Sequence, residues 1–163
     1  LVFSQYATFL RPLADLLTQR GAPQPLRLDG SMSRDRRSQV VDQFSVADGP
    51  PVLLASLKAG GTGLNLVRAN HVVHLDRWWN PAIEDQGSDR AWRIGQAKNV
   101  IVHNLVCPGT VEERIARVLD TKRATAGQIV GDEATPAVTE MSDADLHDLI
   151  TLVRDEQILL RKV

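Results

Sequence analysis

At 163 residues, with 43% hydrophobic and 24% charged side chains, the chain is long enough for one compact core, and it has no apolar run near the roughly 20 residues that cross a bilayer. A single cysteine, Cys107, excludes an internal disulfide framework; it is read as a small buried residue in a reducing, intracellular setting. The formal net charge of −1 excludes a general basic coat for nucleic acid, but it hides an asymmetry, with 16 basic and 12 acidic residues through Arg123 and 3 and 8 beyond it. A polyanion would therefore be gripped at specific points of the first segment, with the acidic tail turned away.

Leu1-Val2-Phe3 reads as a strand entered partway, with no initiator Met and no signal peptide ahead of it. Phe9, Leu13, Leu16 and Leu17 then share a helical face, Pro12 shortens or bends that helix near its start, and Gly21 stands at its C-terminal cap. Leu26-Arg27-Leu28 is a second strand ending in the turn Asp29-Gly30-Ser31, and Ser33 caps a helix with Val40, Val41 and Phe44 on its apolar side. Val52-Leu53-Leu54-Ala55 is a nearly continuous apolar run, the pattern of a strand covered on both faces, and it empties into Lys58-Ala59-Gly60-Gly61-Thr62-Gly63. His71 to Leu75 is the next strand, and Pro81 to about Arg93 a helix with Glu84 and Asp85 at its positive end. Val100 to Val106 forms a further strand, and Thr110 with Glu113 has capping-box spacing ahead of Ile115, Val118 and Leu119. Ala124 to Thr139 has no period and reads as a connection, and Ser142 with Asp145 begins a last helix through Val153. Strands alternating with helical patterns indicate an α/β fold with a parallel sheet and helices on both faces.

In such a sheet, ligands collect beyond the carboxyl ends of the strands, and the unusual residues fall there. Gly60, Gly61 and Gly63 leave backbone N–H groups open to a phosphate, although Leu66 replaces the third glycine of a dinucleotide fingerprint. Arg90 and Arg93, three apart on the predicted helix, can converge on one polyanion. Arginines at this spacing are also compatible with a solvated helix face; Arg34, Arg36 and Arg37 read as such a face, with an added electrostatic contact to nucleic acid as the competing reading. His71 and His74 point to opposite faces of a strand, and His103 and His147 have no partner nearby in sequence, so no metal site is expected.

Three blocks in order carry a specific resemblance. Ala55 to Leu66, with its glycine turn, resembles motif V of the C-terminal helicase lobe of the Snf2 family in helicase superfamily 2. Leu75-Asp76-Arg77-Trp78-Trp79-Asn80-Pro81 follows, and Gln86 to Gln96 looks like motif VI. Val2-Phe3-Ser4-Gln5, Leu28-Asp29-Gly30-Ser31 and Thr110 to Ile115 fit the same lobe, so the likeness covers about residues 1–122. Gly87 stands where many members carry Ala, a change that loosens a helix by roughly 1 kcal/mol.

The resemblance implies a RecA-like, P-loop-NTPase-like second lobe over residues 1–123, an acidic connection over 124–140 and a C-terminal helix over 141–163. It implies Arg90 and Arg93 as arginine fingers on ATP phosphates, Gln86 orienting that site, and Gly61, Gly63 and Asn65 along its edge. On the DNA side it implies Ser4, Gln5, Gly30, Ser31, Ser56 and Lys58 on backbone phosphates, with Trp78 or Asn80 near the minor groove or the backbone. For Trp78 and Trp79, core or interlobe packing is the competing reading. The implied activity is ATP-driven translocation on double-stranded DNA with remodelling of protein–DNA complexes, in a nucleus or nucleoid, with DNA-bound proteins as further partners.

No Gly-Lys dipeptide occurs, so no Walker A loop is present, and Asp132-Glu133 and Asp155-Glu156, the Asp-Glu pairs, close no strand. The expectation is that ATP and Mg²⁺ are held mainly by an N-terminal RecA-like lobe of the same polypeptide and that this chain alone hydrolyses nothing. Two alternatives stand beside this one: an inactive DNA- or protein-binding module, and a small-molecule enzyme on a doubly wound fold.

Overall fold

A computed structural model describes residues 1–59, 63–78 and 80–126. The described residues divide into two units: residues 1–76 with 82–105, and residues 77–81 with 106–126. The expected connection beyond Ala126 and the last helix lie outside the described residues, as do Gly60, Gly61, Thr62 and Trp79.

The first unit is built on five short parallel strands, β1 (Val2–Ser4), β2 (Leu26–Leu28), β3 (Leu53–Ser56), β4 (His71–His74) and β5 (Ile101–Asn104), in the order β2-β3-β1-β4-β5. The α/β class expected from the sequence is what forms. The strands also sit where the apolar runs do; β3, covered on both faces, carries the most uninterrupted one, whereas all four residues of β5 are exposed. All four residues of β3 are buried, as are Phe3, Leu28 and Val72 on the neighbouring strands.

A 3₁₀ turn over Ala7–Phe9 leads into α1 (Leu10–Gln19), with Pro12 in its first turn. The buried face of α1 is only partly the expected one, since Leu13 and Leu17 face the core but Phe9 and Leu16 do not. Leu10 and Ala14 pack on Leu54, flanked by Leu13 and Leu17, whereas Phe9 and Leu16 are about half exposed. The 3₁₀ turn takes up Phe9, so the helix begins one residue later and its inward stripe shifts round. Gly21, at φ +84°, turns the chain after α1 as expected.

Ser33 Oγ accepts the Arg36 N–H at 3.3 Å to cap α2 (Arg34–Ser45), which buries Val40 and Phe44. α3 (Pro81–Ser88) ends five residues before Arg93, the end expected from the pattern. Ser88 Oγ donates to the Glu84 carbonyl at 3.2 Å, and the bonds Arg90 N–H to Gly87 O and Ala91 N–H to Ser88 O tighten the chain into turns. Glu84, expected at an open helix end, is buried. A Cβ on Gly87 would stand 3.3 Å from Phe3 and 3.6 Å from His74, so the glycine brings α3 close to the sheet.

In the second unit, α4 (Val111–Ala126) runs through the positions where the sequence placed the start of a connection. Its cap differs in detail from a standard capping box: Thr110 Oγ1 accepts from Glu112 N–H at 3.2 Å, and Glu113 Oε2 accepts from Gly109 N–H at 2.8 Å. Ile115 and Leu119 are buried. Cys107 is exposed rather than buried, since it lies in the turn before the cap, and its N–H donates to Glu112.

Candidate functional site

Because the strands are parallel, the turns leaving β1, β2 and β3 all emerge at one end of the sheet. There Gln5, Gly30, Ser31, Ser56 and Lys58 come together with Ala7, Thr8 and Asp29 around a groove of about 350 Å³. All but one of the DNA-side residues expected in the first unit therefore meet in one place. The exception is Ser4, which is fully buried. Its hydroxyl donates to Asp76 Oδ2 at 2.5 Å and accepts the Tyr6 N–H at 3.0 Å, while Asp76 Oδ1 accepts the Gln5 N–H at 2.9 Å. Ser4 thus shapes the turn that carries Gln5 and is not placed to touch a ligand.

Ser56 is also buried, its Oγ accepting the Ala59 N–H at 3.2 Å. Asp29 Oδ1 takes both the N–H of Ser31, at 2.9 Å, and its hydroxyl, at 2.5 Å. The groove is consequently held from within, and Lys58 is the cation on its lining. Trp78, half-buried, and Asn80, exposed, belong to the second unit.

A second cleft of about 390 Å³ is lined by Gly63, Leu64, Gln86, Asp89, Arg90, Trp92 and Arg93. It unites the connection leaving β3 with the end of α3 and the turns after it. Backbone ties hold the two sides in register: Leu66 N–H donates to Arg90 O at 3.0 Å, and Arg93 Nη1 donates to Gly63 O at 3.3 Å. Gln96 Nε2 adds bonds to Val67 O and Ala69 O at 2.8 Å and to Ala91 O at 3.1 Å. Gly63 sits at φ +49°, where a side chain would be strained.

The two arginines reach this cleft from turns rather than from one helical face, and they differ. Arg93 is exposed, whereas Arg90 is 6% exposed and its Nε has no hydrogen-bond acceptor among the described residues. Burial, and secondarily the Arg93 charge, push the Arg90 guanidinium below its usual pKa against a smaller opposing pull from Asp89. Two guanidinium groups, the Gln86 amide and an open glycine turn are a donor set for phosphate oxygens. One carboxylate, Asp89, does not make a magnesium cage. Asn65 is exposed and does not line the cleft, and Gly61 lies outside the described residues.

The sequence reading did not single out Trp92, Asp89 or Leu64 as lining residues, or Asp76 as the group that orders the Gln5 turn. Trp92 was legible in principle, being an aromatic between two arginines. Asp76 lies 72 residues from Ser4 and was not. His71 Nδ1 meets His103 Nε2 at 3.1 Å across β4 and β5, a pairing that strand order alone creates. Among the described residues, no three His, Cys, Asp or Glu side chains group as a metal site requires. No described helix is long and apolar enough to cross a membrane.

The description "Helicase conserved C-terminal domain" fits residues 1–95, which hold the described lining of both the strand-end groove and the cleft. The chain belongs to that family. This helicase C-terminal domain is 44% identical over 152 residues, 93% of its length, to the "Putative ATP-dependent helicase/translocase YwqA" of Bacillus subtilis. It is 42% identical over 144 residues, 88% of its length, to "DNA repair protein RAD5" of Cryptococcus neoformans. It spans only 16% and 12% of those two proteins.

Among solved structures it matches the "Sulfolobus solfataricus SWI2/SNF2 ATPase core in complex with dsDNA" with TM-score 0.67 and 34% identity, over 93% of this chain and 31% of that one. The Snf2-type, RecA-like lobe read from the motifs stands on these matches.

Proposed function

We propose that this helicase C-terminal domain is the second motor lobe of a DNA-dependent ATPase that translocates on double-stranded DNA and remodels protein–DNA complexes. In this reading Arg90 and Arg93 act as arginine fingers on the phosphates of ATP, Gln86 orients them, and Gly63 keeps the cleft edge bare, with Gly61 and Asn65 beside it. An N-terminal lobe of the same polypeptide holds the triphosphate and Mg²⁺, and the present chain alone does not hydrolyse ATP. Gln5, Gly30, Ser31, Ser56 and Lys58 follow the backbone of one DNA strand, with Trp78 or Asn80 adding contacts. Such contacts position the motor without selecting sequence. Residues 1–123 form the lobe, and the protein works in a nucleoid or nucleus.

The observation that carries this reading is the cleft joining Gln86, Arg90, Arg93 and Gly63, in which the buried Arg90 Nε lacks an acceptor among the described residues. A buried donor left unmatched costs about 1–3 kcal/mol, and an anionic ligand removes that cost. Developing charge on a transferring phosphoryl group is such an anion, and arginine fingers are worth about 10³ to 10⁵ in rate in related systems. The test is the intact motor, both lobes present, carrying Arg90→Ala or Arg93→Ala. DNA-stimulated ATP hydrolysis should fall by about 10³ or more. Wild-type rates in both variants would remove the assignment.

A further inference from the structure

His71 and His103 are far apart in sequence, and the order of the sheet brings them together. In the parallel register of β4 and β5, His71 stands opposite Ile101 and Val73 opposite His103. Residues two apart on a strand share a face, so both imidazoles rise from the same face, one step apart along the diagonal. Both are exposed. His71 Nδ1 meets His103 Nε2 at 3.1 Å, with the ring planes 14° apart and the ring centroids 5.4 Å apart. That centroid spacing is close to the largest that such a nitrogen contact permits, so the rings meet edge to edge with one nitrogen of each leading.

The backbone beneath them is fixed. Ile101 N–H donates to Asn70 O and Leu105 N–H to His74 O, both at 2.9 Å, at the two ends of the β4–β5 pairing. Only side-chain torsions remain to be set, and the terminal torsion of a histidine is broad. A neutral imidazole carries one N–H and one lone pair, so in a neutral pair the facing nitrogens share a single proton. Moving that proton to the outer nitrogen of its own ring leaves two lone pairs at the same gap, and no proton leaves the pair.

Two nitrogens bound to one ion at about 2.0–2.1 Å stand about 2.8–3.4 Å apart, for bond angles between square and tetrahedral. The gap of 3.1 Å falls inside that range. Imidazole suits zinc, nickel and copper, whereas magnesium and calcium demand oxygen ligands. Among the described residues no carboxylate, thiol or further imidazole joins the pair to make a group of three. A closed structural site takes four protein ligands; two imidazoles with water in the other positions make an open, exchangeable one.

We propose that His71 and His103 form a two-coordinate protein site for a divalent transition-metal ion of the zinc, nickel and copper class, with water completing the shell. The ion ties β5, which ends the strand order with all four residues exposed, to β4. The site goes beyond the motor reading and stands without it, since neither histidine lines the arginine cleft or the strand-end groove.

The experiment titrates the metal-free 163-residue chain with zinc chloride by calorimetry and follows its melting by circular dichroism. One ion should bind per chain, and zinc at about a hundredfold over its dissociation constant should raise the midpoint by roughly 5–10 °C. Magnesium chloride at the same concentration should leave the midpoint unmoved. His71→Gln and His103→Gln, at exposed positions, should each weaken zinc binding about tenfold or more. Cys107→Ser and His147→Gln should bind zinc as wild type does. Copper(II) on the Cys107→Ser chain should give an electron paramagnetic resonance spectrum split by two imidazole nitrogens, a signature that a purely structural pair would not produce.

Absence of zinc binding overturns the site, as does binding that survives His71→Gln and is lost in Cys107→Ser. Copper held by one nitrogen overturns it too. If the metal-free histidine variants melt well below wild type while zinc leaves the wild-type midpoint in place, the contact is a hydrogen bond serving the sheet and the metal site falls.

Discussion

Arg68 and Arg90 are both cations with little access to water, and the domain treats them in opposite ways. Arg68 donates to four main-chain carbonyls, Phe44 at 2.7 Å, Pro50 and Gly49 at 2.9 Å and Ala47 at 3.1 Å, and lies over the Phe44 ring at 5.2 Å. It closes the end of α2 and the turn before β3, and its socket leaves no acceptor to spare. Arg90 is more buried, yet among the described residues its Nε meets no acceptor, and the charge of a second guanidinium opposes its own. A guanidinium that a fold needs for itself is saturated by that fold. One left unsaturated is open to a charge that arrives from outside.

That contrast can be broken most directly by exchanging the readouts. Arg90→Ala in the intact motor should lose about 10³ in DNA-stimulated turnover, while the melting midpoint of the 163-residue chain moves by less than about 3 °C. Arg68→Ala should do the reverse: stability falls by about 3 kcal/mol, or roughly 6–12 °C in midpoint, measured by circular dichroism melting. Comparable destabilisation by the two variants would erase the distinction.

The strand-end groove offers a third test, because its order is internal. Asp76→Ala removes the acceptor for Ser4 Oγ and Gln5 N–H and should cost about 2 kcal/mol, with a several-fold weaker grip on duplex DNA. Asp76→Asn, which keeps a carbonyl oxygen, should recover part of both losses. Among the described residues, Gly63→Ala meets no neighbouring atom within 4 Å, so its expected cost, about 1 kcal/mol, is that of the positive φ.

The smallest effect concerns acid. The Gly109 N–H, then the Arg117 guanidinium, holds the Glu113 carboxyl below its usual range. The cap of α4 is therefore fully supported above the ordinary glutamate pKa of about 4.3, and that support is lost as pH falls through the depressed value. Glu113→Gln should remove this acid dependence from the helical circular dichroism signal. A titration identical to wild type would refute it.

The sequence exposed what depends on local pattern. Five strands were visible as apolar runs, Ser33 and Thr110 as caps, and the residues of both clefts as a family-like order of motifs. It concealed what depends on distant chain segments. Nothing near Arg68 announces a socket made of four carbonyls, because main-chain acceptors carry no residue signature. The bond from Ser4 to Asp76 turned an expected DNA contact into a buried strut. The end of α3 was misjudged because the residues after Ser88 keep helical spacing while the bonds shorten to three-residue turns. Arg90 and Arg93 reached a common cleft nonetheless, by a route that helical periodicity does not describe.

Gln96 shows how little freedom this arrangement leaves. Its two amide hydrogens are divided among the carbonyls of Val67, Ala69 and Ala91, and its oxygen takes the Lys98 N–H at 2.9 Å. A carboxylate of the same size would face three oxygens with nothing to offer them, so slow deamidation at this one position would unfasten the arginine-bearing turn from the approach to β4. The hold on the arginine-bearing turn thus passes through one side-chain amide that is not among the described lining of either cleft.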